Sequence, residues 1–224
     1  MGSAAGPNLV TDNLILYLDA ANTNSYPNSG TTWKDISTEK TIGTLTNGPT
    51  FSSDNGGYFV FDGTNDHVVL DSSFQVSTSV TYSFEAWIYK TATGTNNAGM
   101  LISGGYGGDL DGIIISSEDY GSTTVRILSL GGTCAAVYYN GVSQTLRGDS
   151  IGTNETYNLN EWMHMAVTGI TVNSTDGGAH HIGQNNNDTN EFTGRISNIK
   201  LYDRTLTAAE VKQNFNKLRW RFGI

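Results

Sequence analysis

Short runs of apolar residues recur along most of the chain, some alternating with polar residues and some continuous, and they predict β-strands. The clearest run covers residues 81–89. There Tyr82 and Phe84 point to one face and Trp87 to the other, so both faces of this strand are expected to be covered. The other predicted strands cover residues 14–18, 33–36, 42–45, 58–61, 67–70, 100–102, 112–115, 125–128, 135–139, 162–168, 180–182 and 193–202. Intervals of about ten to thirteen residues between strands in the middle of the chain are typical of an antiparallel sandwich.

One stretch near the C-terminus predicts a helix instead. Thr207 precedes Glu210 by three residues, the spacing of a capping box in which each side chain bonds the backbone amide of the other residue. Val211, Phe215 and Leu218 then recur at helical spacing and form one apolar stripe, which has to pack against a sheet. The pattern therefore predicts an all-β sandwich with one short C-terminal α-helix.

An Asp-Gly turn lies between two of the predicted strands. Residues 58–61 and 67–70 flank a polar segment that begins with Asp62 and Gly63. Because Asp-Gly is common in tight turns, we expect these two strands to pair with each other as a hairpin.

The chain shows neither an internal repeat nor a linker between domains. We therefore expect a flexible leader at residues 1–8, one domain at residues 9–218 and a tail at residues 219–224. A length of 224 residues suits one sandwich and is sufficient to bury a core without disulfides or metals. The 27 glycines indicate many tight turns. The single cysteine, Cys134, excludes an internal disulfide and lies in a strand-like run, where a buried thiol is expected.

The charge of the chain limits the classes of partner. A formal net charge of −9 argues against a nucleic acid or an anionic membrane, because both are themselves negatively charged. The first ten residues lack the basic start and apolar core of a signal peptide, and no apolar run is long enough to span a bilayer. We expect neither export by the general secretory route nor a membrane partner.

Residues with catalytic chemistry do not form a recognisable motif. Glu85 is alone in its strand, and Glu118 and Asp119 are adjacent, so no pair of carboxylates shares a strand face as glycoside hydrolysis requires. The sequence contains no Gly-x-Ser-x-Gly elbow and no glycine-rich phosphate loop. Four histidines are expected to be solvated or hydrogen-bonded imidazoles: His67, His164, His180 and His181. We expect a protein that is not an enzyme and that uses no cofactor.

Two acidic clusters are candidate calcium sites, because calcium prefers several oxygen ligands. Asp62 and Asp66 lie with Asn65 in one turn, and Asp109 and Asp111 lie beside a glycine-rich stretch. Neither cluster has the ligand number of a dedicated calcium loop. The alternative for Asp62 is that its carboxylate caps its own turn.

Aromatic residues on loops are candidate glycan contacts, because a flat ring can stack on a sugar. Five such residues are Tyr26, Trp33, Tyr106, Tyr120 and Tyr157, most of which we expect to pack against the sandwich. Tyr106 and Tyr120 are the two candidates for contact with a glycan.

The C-terminal tail combines two cations and two large aromatic residues in an otherwise acidic chain: Arg219, Trp220, Arg221 and Phe222. Trp and Arg are the residues most enriched where protein interfaces hold their binding energy. The tail is therefore a candidate partner contact. The alternative is that Trp220 and Phe222 fold back to cover the sheet.

Five segments occur in an order that resembles a known family. They are residues 16–20, 61–66, 83–87, 161–164 and 194–204. Together they resemble the laminin-G-like branch of the concanavalin A-like lectin/glucanase fold, and the resemblance covers nearly the whole chain. It implies a jelly-roll sandwich of two curved antiparallel sheets. The fold alone does not imply a function, since it occurs in lectins, hydrolases and structural modules.

The two ends of the chain narrow the resemblance. Residues 6–14, 25–33 and 221–224 resemble small virion proteins of tailed bacteriophages. This implies a non-catalytic virion protein, a capsid decoration or cement protein, that is oligomeric on the particle and contacts capsid or tail subunits. The alternative is a glycan-binding adhesion module on the virion tail or capsid surface that contacts host glycans.

The sequence departs from the family pattern at two places. The Tyr-x-Asn-Gly hairpin of the family follows the strand that contains Trp162, whereas here residues 138–141 precede it. Ser197 stands where the family usually has an acidic residue close to a structural calcium ion. The second difference argues against a calcium ion at that position.

Overall fold

The computed structural model describes residues 7–71, 74–92, 99–104, 115–117, 128–129, 132–148, 152–172, 180–185 and 189–224. Within these ranges the structure is mainly β. The strands are β1 Leu14–Asp19, β2 Thr32–Lys34, β3 Ile42–Thr46, β4 Thr50–Ser52, β5 Tyr58–Asp62, β6 His67–Leu70, β7 Tyr82–Lys90, β8 Met100–Ile102, β9 Ile115–Ser116, β10 Leu128–Ser129, β11 Ala136–Tyr139, β12 Val142–Ser143, β13 Trp162–Ile170, β14 His181–Ile182 and β15 Thr193–Tyr202. The α-helix is α1, Ala208–Leu218, and 3-10 turns cover Asp54–Gly56 and Arg219–Phe222.

Eight strands form the larger sheet, in the order β12-β11-β13-β7-β15-β5-β4, with β1 also paired to β15. The other layer contains the sheets β14-β6-β3-β2 and β10-β9-β8, which a bridge between Ser103 and His181 links. The pairings between these strands are antiparallel. The predicted antiparallel sandwich with one C-terminal helix is therefore confirmed.

Strand β7 is the centre of the larger sheet, because it pairs along its length with β13 and with β15. Phe84 and Ile88 on one face of β7 belong to the main core, which also contains Val68 and Leu70 from the other layer. Trp87 points to the opposite face and packs under the C-terminal residues of the chain. Both faces of β7 are covered, as its sequence predicts.

The predicted hairpin between β5 and β6 is wrong. β5 pairs with β4 and β15 in the larger sheet, whereas β6 pairs with β3 and β14 in the other layer. Phe61 of β5 and Val68 of β6 both contribute to the main core, so the turn between the strands crosses from one layer to the other. Asp-Gly chemistry predicted the turn correctly. It could not predict that the apolar faces of the two strands would meet across the core instead of lying side by side.

Helix α1 has the predicted capping box, with both the Thr207 and the Glu210 side chains bonded to the other residue's amide. Its apolar stripe of Val211, Phe215 and Leu218 is buried against the outer face of the larger sheet. In the described part of the chain, no helix has the length and apolar character needed to cross a membrane.

Residues 138–141 form the expected Asn-Gly hairpin, in which Asn140 and Gly141 have φ values of 50° and 72°. The hairpin joins β11 to the edge strand β12, and β11 then pairs with β13. Cys134 is buried, as its strand-like surroundings predicted.

Candidate binding surface at the C-terminus

A stack of aromatic rings fixes the end of the chain to the larger sheet. The Phe222 ring lies 4.1 Å from the Trp87 ring at an interplanar angle of 16°, and 4.6 Å from the ring of Trp162. The ring of Phe215 in α1 also stacks with Trp87, at a centroid distance of 5.8 Å. These contacts bury Phe222, so the 3-10 turn that contains it is held against the sheet.

A buried ion pair fixes the residue before Phe222. Nη1 and Nη2 of Arg221 donate to the two carboxylate oxygens of Asp19 at 3.2 and 3.1 Å, and the two side chains are only 6% and 7% exposed. Nη2 also donates to Ser197 Oγ at 2.9 Å, while Ser197 donates to the carbonyl of Gly57 at 2.7 Å. A guanidinium therefore contacts Ser197, the position that the family resemblance relates to a calcium ion.

The turn at Asp54–Gly56 supports the tail from the side. Asn55 Nδ2 donates to the carbonyl of Arg221 at 3.0 Å. Gly57, which follows the turn, has a φ of +144°, and a Cβ atom there would lie 2.6 Å from the carbonyl oxygen of Ala20. Only glycine allows the turn to come this close to the end of β1.

Trp220 lies between the buried Leu218 and the anchored Arg221, and it points outward. Its side chain is 74% exposed, and its ring N–H donates to the carbonyl of Lys217 at 3.0 Å, so the orientation of the indole is defined. Four large apolar residues are exposed in the described part of the chain, namely Val60, Val142, Trp220 and Ile224. Two of the four lie within the last five residues.

An open groove of about 410 Å³ runs beside the indole of Trp220, between the tail and the segment that follows β1. Its walls include Ala21, Asn22, Thr23, Gly56 and Leu218. We call the exposed indole and this groove the C-terminal surface. An aromatic face beside amide and hydroxyl groups can take either an apolar side chain of a protein or the face of a sugar ring.

A fully buried charge cluster lies beneath α1. Lys200 Nζ is 3.3 Å from Glu85 Oε2, and His164 Nε2 is 3.7 Å from Glu85 Oε1. Burial raises the pKa of Glu85, and the charge of Lys200 opposes this shift. Burial also holds the pKa of His164 well below its usual value, and Lys200 lowers it further. The imidazole is therefore neutral, and its approach to Glu85 is not an ion pair.

Asn214 of α1 connects this cluster to both ends of the chain. Its Nδ2 donates to Glu85 Oε2 at 2.8 Å and to Tyr202 Oη at 3.0 Å, and its Oδ1 accepts from the amide of Val10 at 2.9 Å. Tyr202 in turn donates to the carbonyl of Val10 at 3.0 Å. The network thus attaches the helix and the N-terminal segment to the same face of the sheet.

The sequence pattern does not predict this cluster. Glu85 is the only acidic residue of its own strand, and the side chains that it contacts lie on β13, β15 and α1. Asn214 is 129 positions from Glu85 along the chain. One signal for the cluster is present in the sequence. Lys200 lies on the face of β15 opposite to that of Ile199 and Leu201. Glu85 likewise lies on the face of β7 opposite to that of Phe84 and Ala86.

The predicted calcium ligands are engaged in closing their own turn. Asp66 Oδ2 accepts from the amide of Asp62 at 3.0 Å, and Asp62 Oδ1 accepts from the amide of Thr64 at 2.8 Å. Burial raises the pKa of Asp66. The described residues bring no three His, Cys, Asp or Glu side chains together in a metal-binding arrangement. The calcium site at Asp62 and Asp66 stays a prediction.

The other residues predicted as contacts do not share one environment in the structure. Tyr106 and Tyr120, the candidate glycan contacts, lie outside the described residues. Of the other loop aromatics, Tyr26 and Trp33 are buried and pack on the ring of Phe59. The tail divides as follows: Arg219 and Trp220 are exposed, whereas Arg221 and Phe222 are engaged within the chain.

Replacing His164 with leucine is expected to reduce the acid sensitivity of the fold. A histidine whose folded-state pKa is lowered contributes stability above its ordinary value of 6.5, and this stability is lost as the pH falls. Below that value the wild type should lose about 1.4 kcal/mol more per pH unit than the leucine variant. Urea unfolding of both proteins between pH 5 and pH 8 measures the difference, and parallel pH profiles would contradict it.

No protein-family model matches the sequence, and no curated protein matches it. Solved structures do resemble the chain. A Trypanosoma rangeli sialidase mutant with trans-sialidase activity matches with a TM-score of 0.59 and 14% identity, over 98% of this chain and 35% of that one. The binding domain of Paraclostridial Mosquitocidal Protein 1 matches with a TM-score of 0.55 and 16% identity, over 91% and 52%.

The botulinum neurotoxin serotype G binding domain is a third similar structure, with a TM-score of 0.55 and 13% identity. It is matched over 91% of this chain and 50% of its own length. The chain therefore spans about a third of the sialidase and about half of each of the two binding domains. At these identities the similarity shows the β-sandwich fold alone.

Proposed function

We propose that the protein is a non-catalytic binding module that serves as a structural protein of a phage virion, as a capsid decoration protein acting through protein–protein contacts. The observation that carries this proposal is the indole of Trp220, 74% exposed on a rigid support. A Trp whose backbone is fixed on both sides loses little conformational freedom on binding, which favours its use as an interface anchor.

The position of the charge cluster supports the proposal that the protein is not an enzyme. Glu85, His164 and Lys200 are fully buried under α1, so a substrate in solution has no access to them. The C-terminal surface, by contrast, exposes an aromatic ring, an amide and a hydroxyl. These groups can bind a partner without catalysing a reaction.

The virion role rests on the resemblance of the two chain ends to small phage virion proteins. The partners in this proposal are capsid or tail subunits, and the protein is located on the particle as an oligomer. The net charge of −9 disfavours nucleic acid as the partner.

A glycan-binding module is the second candidate, and the groove beside Trp220 favours it. An exposed indole next to the amide of Asn22 and the hydroxyl of Thr23 offers a stacking face together with hydrogen-bonding groups. Two of the similar structures are named as binding domains, which supports a sandwich that acts as a binding module.

Replacing Trp220 with alanine is expected to weaken binding to particles at least about 30-fold, the loss typical of an interface hot spot. The measurement is co-sedimentation of purified protein with particles assembled without it. The matched control is Val142→Ala, which truncates another exposed apolar side chain, 57% exposed on β12. Both variants should keep the stability of the wild type within about 0.5 kcal/mol. Equal binding by wild type and Trp220→Ala would refute the proposed docking surface.

A deletion of residues 219–224 is a poorer test than this point substitution. It would remove Phe222 from Trp87 and leave Asp19 without Arg221, so lost binding could reflect a disturbed fold. Trp220→Ala removes the exposed ring alone.

A glycan array separates the two candidate functions. For the glycan-binding module, we expect saturable binding to a defined sugar that Trp220→Ala abolishes, measured with and without calcium. Variants of Tyr106 and Tyr120 test the two contacts predicted from the sequence. No binding to any sugar, together with particle binding that depends on Trp220, would exclude the glycan alternative.

A further inference from the structure

The C-terminal segment is basic in an otherwise acidic chain. Residues 207–224 contain four Lys and Arg residues and one acidic residue, a net of +3, so the remaining residues carry −12. Arg221 is neutralised by Asp19. Glu210 is neutralised by Arg204, whose hydrogen bonds lower the pKa of Glu210 to about 2. The remaining side-chain charges of the segment, on Lys212, Lys217 and Arg219, are all positive.

Three cations precede Trp220 in the same C-terminal segment, and we call Lys212, Lys217 and Arg219 the basic collar. In the part of the chain that the structure describes, none of them forms an ion pair within 4.0 Å. Lys212 Nζ and Arg219 Cζ lie 4.7 and 5.8 Å from the ring centre of Phe215, and the carbonyl of Lys217 holds the indole N–H. Within the collar, Arg219 thus directly precedes Trp220 in the chain, and Lys217 holds the indole through its carbonyl.

A pocket with acidic residues in its lining lies elsewhere on the same chain. It has a volume of about 250 Å³, more than an indole ring occupies, and Ile15, Phe74, Val80 and Tyr82 supply apolar lining. Glu39 and Asp203 add two carboxylates. Asp203 Oδ1 is buried without a hydrogen-bond partner, and the ammonium of the adjacent Lys40 is engaged by the carbonyl of Ser37. We call this cavity the acidic pocket.

Trp220 cannot reach the acidic pocket of its own chain. The pocket includes Ile15 near the start of β1, whereas the C-terminal surface adjoins Asp19 at the end of β1, about 13 Å further along the strand. The indole is also held to the carbonyl of Lys217. The aromatic side chain and the pocket can therefore meet only between two molecules.

We propose that Trp220 of one copy enters the acidic pocket of a second copy, with the basic collar facing Glu39 and Asp203. This inference rests on the proposed function, because it concerns the same surface, and it names a neighbouring copy of the chain, in place of a capsid or tail subunit, as the molecule that Trp220 contacts. Since the two surfaces differ, the contact is head-to-tail and generates rings or rows of copies, as a protein that coats a particle requires. The rest of each molecule carries an excess of negative charge. Other relative orientations of the two copies are disfavoured because they bring like charges together.

The contact is weak between free molecules. One aromatic ring and a few ion pairs make an interface at the small end of the range for specific complexes, which corresponds to a dissociation constant on the order of 100 μM. Copies that are held next to each other on a particle gain from the high effective concentration.

Sedimentation equilibrium of the full chain tests the proposal at protein concentrations from about 10 to about 500 μM in low salt. The wild type is expected to associate, and Trp220→Ala to remain monomeric. Arg219→Glu and Glu39→Lys, which reverse one charge on each side, should each weaken association at least about tenfold. The double variant Arg219→Glu/Glu39→Lys should restore it to within about threefold, because the pair is exchanged. Rising salt should weaken the wild-type contact.

Three results would overturn the inference: a wild type that stays monomeric at 500 μM, association that survives Trp220→Ala, or a double variant that does not recover. The experiment uses no particle, so its failure is distinct from failure of the proposed function. Particle binding that needs Trp220 in a protein that does not self-associate would refute only this inference. Self-association through Trp220 without particle binding would refute only the virion role.

Discussion

Replacement of Lys200 with methionine is expected to destabilise the fold by about 3–5 kcal/mol at neutral pH, because it leaves the carboxylate of Glu85 buried without its cation. Both side chains are fully buried, and Asn214 alone would still donate to the carboxylate. Urea unfolding at pH 7 measures the loss. The matched control is Lys212→Met, which removes an exposed lysine and should cost less than about 0.5 kcal/mol.

The cost of Lys200→Met should fall as the solution becomes more acidic. Burial raises the folded-state pKa of Glu85 above its ordinary value of 4.5, and the largest opposing influence is Lys200, so the variant raises this pKa further. A carboxyl with a raised folded-state pKa contributes stability that is complete below its ordinary value and is lost as the pH rises through the folded-state value. The variant should therefore be closest to wild type near pH 4.5 and furthest from it at neutral pH. Equal losses at pH 5 and pH 8 would show that Glu85 is not the group left unpaired.

The double variant Glu85→Gln/Lys200→Met separates the charge from the packing. Removing both charges leaves no unpaired ion, and a glutamine oxygen can still accept from Asn214, so most of the lost stability should return. A double variant as unstable as Lys200→Met alone would mean that the packing of the lysine side chain, and not its charge, matters.

The second large effect is expected for Phe222→Ala, a loss of about 3 kcal/mol. The ring lies against both Trp87 and Trp162, so its removal leaves a cavity on the outer face of the sheet. Partner binding through Trp220 should be lost as well, since the backbone that presents the indole loses its anchor. For a chain of this length the expected fall in melting temperature is about 6–12 °C.

Phe222→Leu is the control for this prediction, because it keeps an apolar side chain of nearly sufficient volume and should cost about half as much or less. Trp220→Ala provides the opposite pattern, with binding lost and stability retained. If Phe222→Ala keeps both the melting temperature and the binding of the wild type, Phe222 is not the anchor of the tail.

The predictions that the structure confirms depend on residues close together in sequence. The capping box of α1 joins Thr207 to Glu210, three positions apart, and the alternation of β7 repeats every second residue. Such periods reflect the geometry of a helix or strand alone, so they can be recognised before any tertiary contact is known. The antiparallel sandwich follows from the number and spacing of these strands.

The wrong or missing predictions concern partners distant in sequence. The segment between β5 and β6 has the composition of a hairpin turn, yet the chain changes layers there because both strands bury apolar faces in one core. Glu85 has no visible partner in its own strand, and its contacts come from β13, β15 and α1. No short motif encodes such a cluster.

The C-terminal tail shows the same division within four residues. Its composition alone indicated either an interface or a tail folded against the sheet. The second description applies to Arg221 and Phe222, and the interface stays a prediction. Arg221 and Phe222 are engaged because Asp19, 202 positions earlier, and Trp87 lie beneath them. Trp220, by contrast, is 74% exposed.

The sequence by itself determined the fold class, the central strand and the capped helix, because periodicity and capping are local properties of the chain. Only the tertiary structure decided which polar residues are buried together and which aromatic side chain of the tail faces solvent. These outcomes depend on side chains brought together from distant strands, where burial changes the free energy of a charge or a ring.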